Sequence, residues 1–345
     1  VKEIVFVSKD QHQAKTRNLV IIGILALLIV ITFVISMNTG FIKLTPLEVI
    51  RTLFGYGTEK QHLILFEFRL PRIVISVLVG MGLAVSGCVL QGISRNALAD
   101  PGILGINAGA GLAVMLYISF FPTTTSVPVF FLPVLAFSGA GITAIIIYSL
   151  AYKRNEGISP MRLILTGVAV AAGISSIMIV LTLRLSPENY QFLATWLAGS
   201  IWGSNWKFVL ALLPWTLVLI PFVFSKARVL NVFNLGDITA TGLGASIEKE
   251  RRVLLAAAVG LAGASVSISG GIGFVGLIGP HLARQLVGSR HQFLIPAAAL
   301  SGGLLVLIAD TLGRWILQPS EIPAGIVVAV IGAPYFLYLL SRLKD

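Results

Sequence analysis

Few residues of this sequence could do chemistry, and most of those are arginines beside apolar runs. The stretch "FEFRLPRIVISVLVG" (66–80) sets Arg69 and Arg72 immediately before a long apolar segment. Arg314 follows Asp310 by four residues near the end of another, the spacing of a local helical ion pair. A guanidinium is a planar fork that can hold a carboxylate through two parallel hydrogen bonds. Such arginines can recognise an acidic surface. They can also anchor a helix at an interface, with Arg69 satisfied by Glu67 and Arg314 by Asp310. Asp310 is the only acid inside an apolar run, so paired intramembrane carboxylates and the charged relay of a proton-coupled carrier are missing.

Other motifs carry less. "GIGFVG" (Gly271, Gly273, Gly276) has dinucleotide-loop spacing, but membrane-like runs flank it instead of a strand and a βαβ unit, so packing glycines are expected. "GAS" (263–265) with a later His281 could suggest a serine–histidine dyad, a weak signal where Ser and Gly are everywhere. There is no G-x-x-x-x-G-K-[ST], so the chain has no P-loop for ATP phosphates. The single cysteine, Cys88, excludes an intrachain disulfide and a cysteine metal cluster. No metal or cofactor is expected on this chain.

The elements that must position these residues are membrane helices. Of 345 residues, 56% are hydrophobic and 11% charged, where soluble proteins carry about 25% charged residues. Apolar stretches exceed the roughly 18 residues that mark a bilayer span. The expected fold is an all-α polytopic membrane protein, a single transmembrane domain over 19–345 after a cytoplasmic tail, 1–18. Ten spans fit, at roughly 19–37, 71–93, 103–120, 129–151, 160–184, 206–225, 252–270, 273–287, 293–312 and 323–341. The first resembles a signal peptide but is too long for its apolar core, and is read as retained. "NYQFLATWLAGS" (189–200) is too short to span and is placed at the outer surface. Ten spans put both termini on one side. Loops on that side then hold roughly two-thirds of the Lys and Arg, so it is the cytoplasm. The net charge of +11 belongs to those loops and not to nucleic-acid binding. Arg69 and Arg72 consequently begin an inward-running span on the outer side. Runs such as "GMGLAVSG" and "LAGASVSISGGIG" predict closely packed helices.

Two cytoplasmic segments stand out: "SRNALADPG" (94–102) and the long polar 225–252, in which "GDITATGLG" reads as a short helix ended by glycine.

The stretches "RLPRIVISVLVGMGLAVSGCVLQGISRNALADPGILGINAGAGLAV", "GFVGLIGPHLAR", "ALSGGLLVLIADTLGR" and "EIPAGIVVAVIGAPYFLYLL" resemble, in order, the iron-siderophore, haem and cobalamin permeases of type II ABC importers. The resemblance runs from about residue 40 nearly to the end. It implies a dimeric permease with its pathway at the subunit interface, the second copy identical or, with a slight preference, a related chain. It also implies two cytoplasmic ATPase subunits holding ATP and Mg, and an extracytoplasmic binding protein. The chain would be a transport subunit in a bacterial cell membrane and no enzyme. Its cargo would be a bulky iron chelate, a ferric siderophore ahead of haem or cobalamin. The different-class readings are an ion-coupled secondary transporter and an intramembrane enzyme. By the same resemblance Arg69, Arg72 and Arg314 dock the binding protein. Leu235, Gly236, Asp237, Ala240, Thr241, Gly242 and Gly244 couple to the ATPase. Asn96 and Leu98 form a cytoplasmic gate, with Pro160 and Met161 where a second gate falls. The family often has Asn-Pro-Leu where Asn96-Ala97-Leu98 stands. Pro160 and Met161 also differ from the small polar pair of the cobalamin permease.

Overall fold

A backbone in lipid has no water to bond to, so its N–H and C=O groups pair internally and an apolar run coils into a helix. The computed structural model describes residues 2–40, 42, 44–102, 104–121, 128–154, 157–201, 203–242 and 246–342. In chain order these form α1 (Lys2–Asn38), α2 (Pro46–Leu53), α3 (Glu59–His62), a π-wound turn (Leu63–Arg69), α4 (Leu70–Ser94), α5 (Ile106–Phe120) and α6 (Phe131–Ala151). A two-stranded hairpin follows, β1 (Tyr152–Lys153) antiparallel to β2 (Gly157–Ile158). Then come α7 (Pro160–Thr182), α8 (Pro187–Leu197), α9 (Trp206–Ser225), α10 (Ala227–Phe233), α11 (Asp237–Gly242), α12 (Ile247–Ser269), α13 (Val275–Val287), α14 (His291–Ile316) and α15 (Ala324–Arg342).

Seven helical stretches among the described residues are long and apolar enough to cross a membrane. The other three ranges read from sequence fall on the shorter α5, α13 and α15. Residues 13–18 continue α1 without a break, and Asn18 Nδ2 donates to the Val287 carbonyl at 3.0 Å, tying α1 to the end of α13. The segment 189–200 falls on the short helix α8.

α4 is the axis, buried on nearly every face, as expected of a helix that is apolar all round. Its glycines set its distance from α14 and α13. A methyl added at Gly80 would stand 2.2 Å from the Gly302 carbonyl oxygen, and one at Gly87 1.9 Å from that of Gly276. Main chains therefore touch directly, the small-residue packing that replaces the hydrophobic drive in lipid. Polar cross-links inside the bundle add to this: Ser86 Oγ donates to the Ala258 carbonyl at 2.8 Å, and Gln91 Nε2 to that of Gly276 at 3.2 Å. "GIGFVG" is a packing element. Its chain leaves α12, opens α13, and leaves no room for a side chain at Gly276, where Pro101 lies 2.5 Å from an added methyl. Cys88 is buried in the core and free. The outward surface is apolar, with Ile142, Ile145 and Leu150 on α6 and Leu217 and Val218 on α9 exposed to where lipid would lie.

Candidate functional site

Charged side chains gather at the two ends of the α4 axis. At its N-terminal end, Asp310 is 1% exposed and accepts from two arginines. Its Oδ1 takes Arg72 Nε at 2.8 Å, and its Oδ2 takes Arg314 Nε at 3.1 Å. Arg72 also reaches Glu321 at 2.7 Å. Arg314 donates onward to the Thr39 carbonyl at 3.0 Å and to Ser36 Oγ, so α14 is fastened to the end of α1. Arg69 is buried and donates to the carbonyls of Met37 and Ile42. The structure thus brings Arg69, Arg72 and Arg314 together, but each guanidinium is engaged within the chain. The expected Arg69–Glu67 pair is replaced by these carbonyl bonds, one to the end of α1 and one to the segment that follows it. The expected Asp310–Arg314 pair is present. Asp310 as a shared counterion and Glu321 as a partner of Arg72 were missed; they stand far from Arg72 in sequence, and only packing unites them.

At the other end, α4 stops on Arg95, whose left-handed φ of 52° turns the chain into 96–102. Asn96 is exposed and its Oδ1 accepts from the Leu98 N–H at 2.9 Å; Leu98 is half-buried. Pro160 opens α7 and Met161 is exposed. α11 begins at Asp237, after Gly236 with φ 93° and the exposed Leu235. Ala240 is buried beneath it, Thr241 Oγ1 donates back to the Asp237 carbonyl at 2.8 Å, and Gly242 has open space where a side chain would stand. Gly244 lies outside the described residues. Asp100 is outside the apolar spans. Desolvation pushes its carboxyl up to about 6, against the Gly102 N–H that donates to it at 2.7 Å. Among the described residues no group of three or more His, Cys, Asp or Glu could hold a metal ion.

This is a helical membrane bundle, with a helix packed on all sides at the centre and polar clusters at its ends. The chain belongs to the FecCD transport family, whose model matches residues 27–342. It is 52% identical over 330 residues to the iron(3+)-hydroxamate import system permease protein FhuG of Bacillus subtilis, covering 94% of this chain and 98% of that one. It is 40% identical to the Fe(3+) dicitrate transport system permease protein FecD of Escherichia coli, over 90% and 94% of the two chains. A solved structure described as a metal-chelate type ABC transporter in an inward-facing conformation superimposes with a TM-score of 0.81 at 32% identity, over 94% of this chain and 99% of that one.

Proposed function

We propose that this chain is the permease subunit of an ATP-driven importer that carries a ferric siderophore, of hydroxamate type, across a bacterial cell membrane. The observation that carries this reading is the 52% identity to an iron(3+)-hydroxamate permease along almost the whole of both chains. A hemin transport system permease of Yersinia pestis is 37% identical, which places haem behind. In this reading α1, α4, α5, α6, α7, α9, α12, α13, α14 and α15 are ten spans with both termini cytoplasmic. The basic loop bias supports that orientation.

The pathway lies between this chain and a second permease. α7 supports this with a face of small exposed residues, Ala169, Ala172, Gly173 and Ser176, at helical spacing. Such a face suits close approach of another helix in lipid. One ATPase subunit seats on α11 of each of the two permeases, where segment 235–247 couples it to the bundle. Asn96 and Leu98, with Pro160 and Met161, form the inner gate. ATP and Mg stay on the ATPases, and the chelate crosses chemically unchanged. A binding protein docks at the Arg69 end. There Arg69 and Arg314 hold the docking face in shape, and acids of the arriving protein compete with Glu321 for Arg72. Deleting the gene and measuring uptake of radiolabelled iron from a chelate panel tests the cargo. Expected is loss of ferric hydroxamate uptake with haem uptake intact; the reverse pattern would overturn the siderophore reading.

A further inference from the structure

One carboxylate collects charge from two separate parts of the chain. Asp237, the first residue of α11, accepts from Arg95 Nη2 at 3.2 Å and from Arg251 Nη2 at 3.0 Å. Arg95 is the turn residue at the end of α4, directly before Asn96. Arg251 stands on α12, is 2% exposed, and spends its other terminal nitrogen on the Ile158 carbonyl at 2.7 Å and on Glu248 Oε1 at 3.4 Å. Glu248 Oε1 in turn accepts from the Ile158 N–H at 3.4 Å. Ile158 ends β2, two residues before Pro160 opens α7. The buried Phe233 of α10 lies under the guanidinium, its ring centre 5.9 Å away.

Two glycines allow this crowding. Gly157 has φ 67°, and a methyl there would fall 2.2 Å from Glu248 Oε1. Gly236 has φ 93° and would place a methyl 3.3 Å from Arg95 Nη1.

We infer that Asp237, through the buried Arg251 and the neighbouring Arg95, is the linkage by which displacement of α11 moves the 95–98 turn and the entry to α7 together. This rests on the reading of α11 as the segment that seats an ATPase. The exposed Arg95–Asp237 contact contributes little alone. The buried guanidinium is different: taken from Asp237, it keeps only the longer 3.4 Å contact with Glu248, and a buried charge that loses its better partner is costly. When α11 shifts, Arg251 follows Asp237 and takes the Ile158 carbonyl with it, or it lets Asp237 go and closes on Glu248, which it already touches at 3.4 Å. Those are two discrete arrangements of one cluster, which is what transmission between sites requires.

The test uses the assembled importer in proteoliposomes, with ATP hydrolysis, chelate uptake and the nucleotide dependence of a Leu98→Cys cross-link measured together. For Asp237→Asn, with assembly and hydrolysis measured on the same sample, expected are uptake per ATP hydrolysed in the assembled complex reduced about fivefold or more, and a cross-link that ignores nucleotide. Asp237→Glu should restore a good part of the uptake, as should the swap Arg95→Asp with Asp237→Arg relative to either single change. Uptake per ATP unchanged in Asp237→Asn would overturn the linkage, and so would a loss of uptake matched by an equal loss of assembled complex. Gly242→Trp, which touches no member of the cluster, separates the two readings. If it uncouples while Asp237→Asn does not, the linkage alone falls. If it leaves coupling and ATPase association untouched, the seating role of α11 falls, and the linkage with it.

Discussion

Asp310 balances two guanidiniums with one buried carboxylate, and it is the residue on which the Arg69 end depends. Removing one partner of a buried charged cluster costs about 3–5 kcal/mol, because the charges left behind stay desolvated. Asp310→Asn should therefore lower the thermal unfolding midpoint in lipid nanodiscs by several degrees; an unchanged midpoint would show that the arginines find other partners. The Asp310–Arg314 half of the cluster was legible from spacing alone. The Arg72 half was not, since helical periodicity says nothing about a pairing between residues so far apart. Arg69 misled for a related reason: sequence proximity favours Glu67, while the side chain bonds to carbonyls at the end of α1 and in the segment that follows it.

Asp100 supplies a pH dependence. Its folded value is raised from 3.8 to about 6, so the folded state holds its proton more tightly than the unfolded chain does. The stability this contributes is complete below pH 3.8 and is lost as pH rises towards about 6. Melting midpoints measured across that window should fall with rising pH from this source, and Asp100→Asn should flatten the slope. A slope that survives the substitution would assign it to another group.

At the scale of elements, the contact of α4 with α13 and α14 is set by missing side chains. Gly87→Val would drive carbon into the Gly276 carbonyl, and overpacking of this kind costs about 1–3 kcal/mol or more. The expected outcome is little or no folded permease by size-exclusion chromatography, whereas Gly242→Trp, facing open space, folds normally. A monodisperse Gly87→Val protein would mean that the helices can part. These contacts were foreshadowed by the small-residue runs, and the long helices by length and hydropathy. The ends of elements were not. α12 begins at Ile247, inside the charged run "IEKERR", because the helix continues where Glu248 and Arg251 pair with each other and with the hairpin. Hydropathy ends a span at its first charges, but backbone hydrogen bonding does not stop there. α10 and the β1–β2 hairpin were missed on the same ground, being too short for periodicity to register.

For the whole molecule, the proposed importer uses three surfaces: the exposed small-residue face of α7, the open surface at Gly242 on α11, and the polar ends of the α4 axis. The α7 face was not readable as an interface from composition, because a lipid-facing and a partner-facing surface are both apolar; the polar ends and the 225–252 segment stood out by their charge, and their assigned roles came from motifs shared with a family. In the proposed importer, ATP hydrolysis and cargo come from partner chains. The most direct measurement is import into proteoliposomes containing the purified permease with its own ATPase, its second permease if that is a different chain, and its binding protein. ATP-dependent accumulation of a ferric hydroxamate, abolished by omitting either the ATPase or the binding protein, is the expected result. Accumulation driven by an ion gradient through the isolated chain, with no need for ATP, would contradict it.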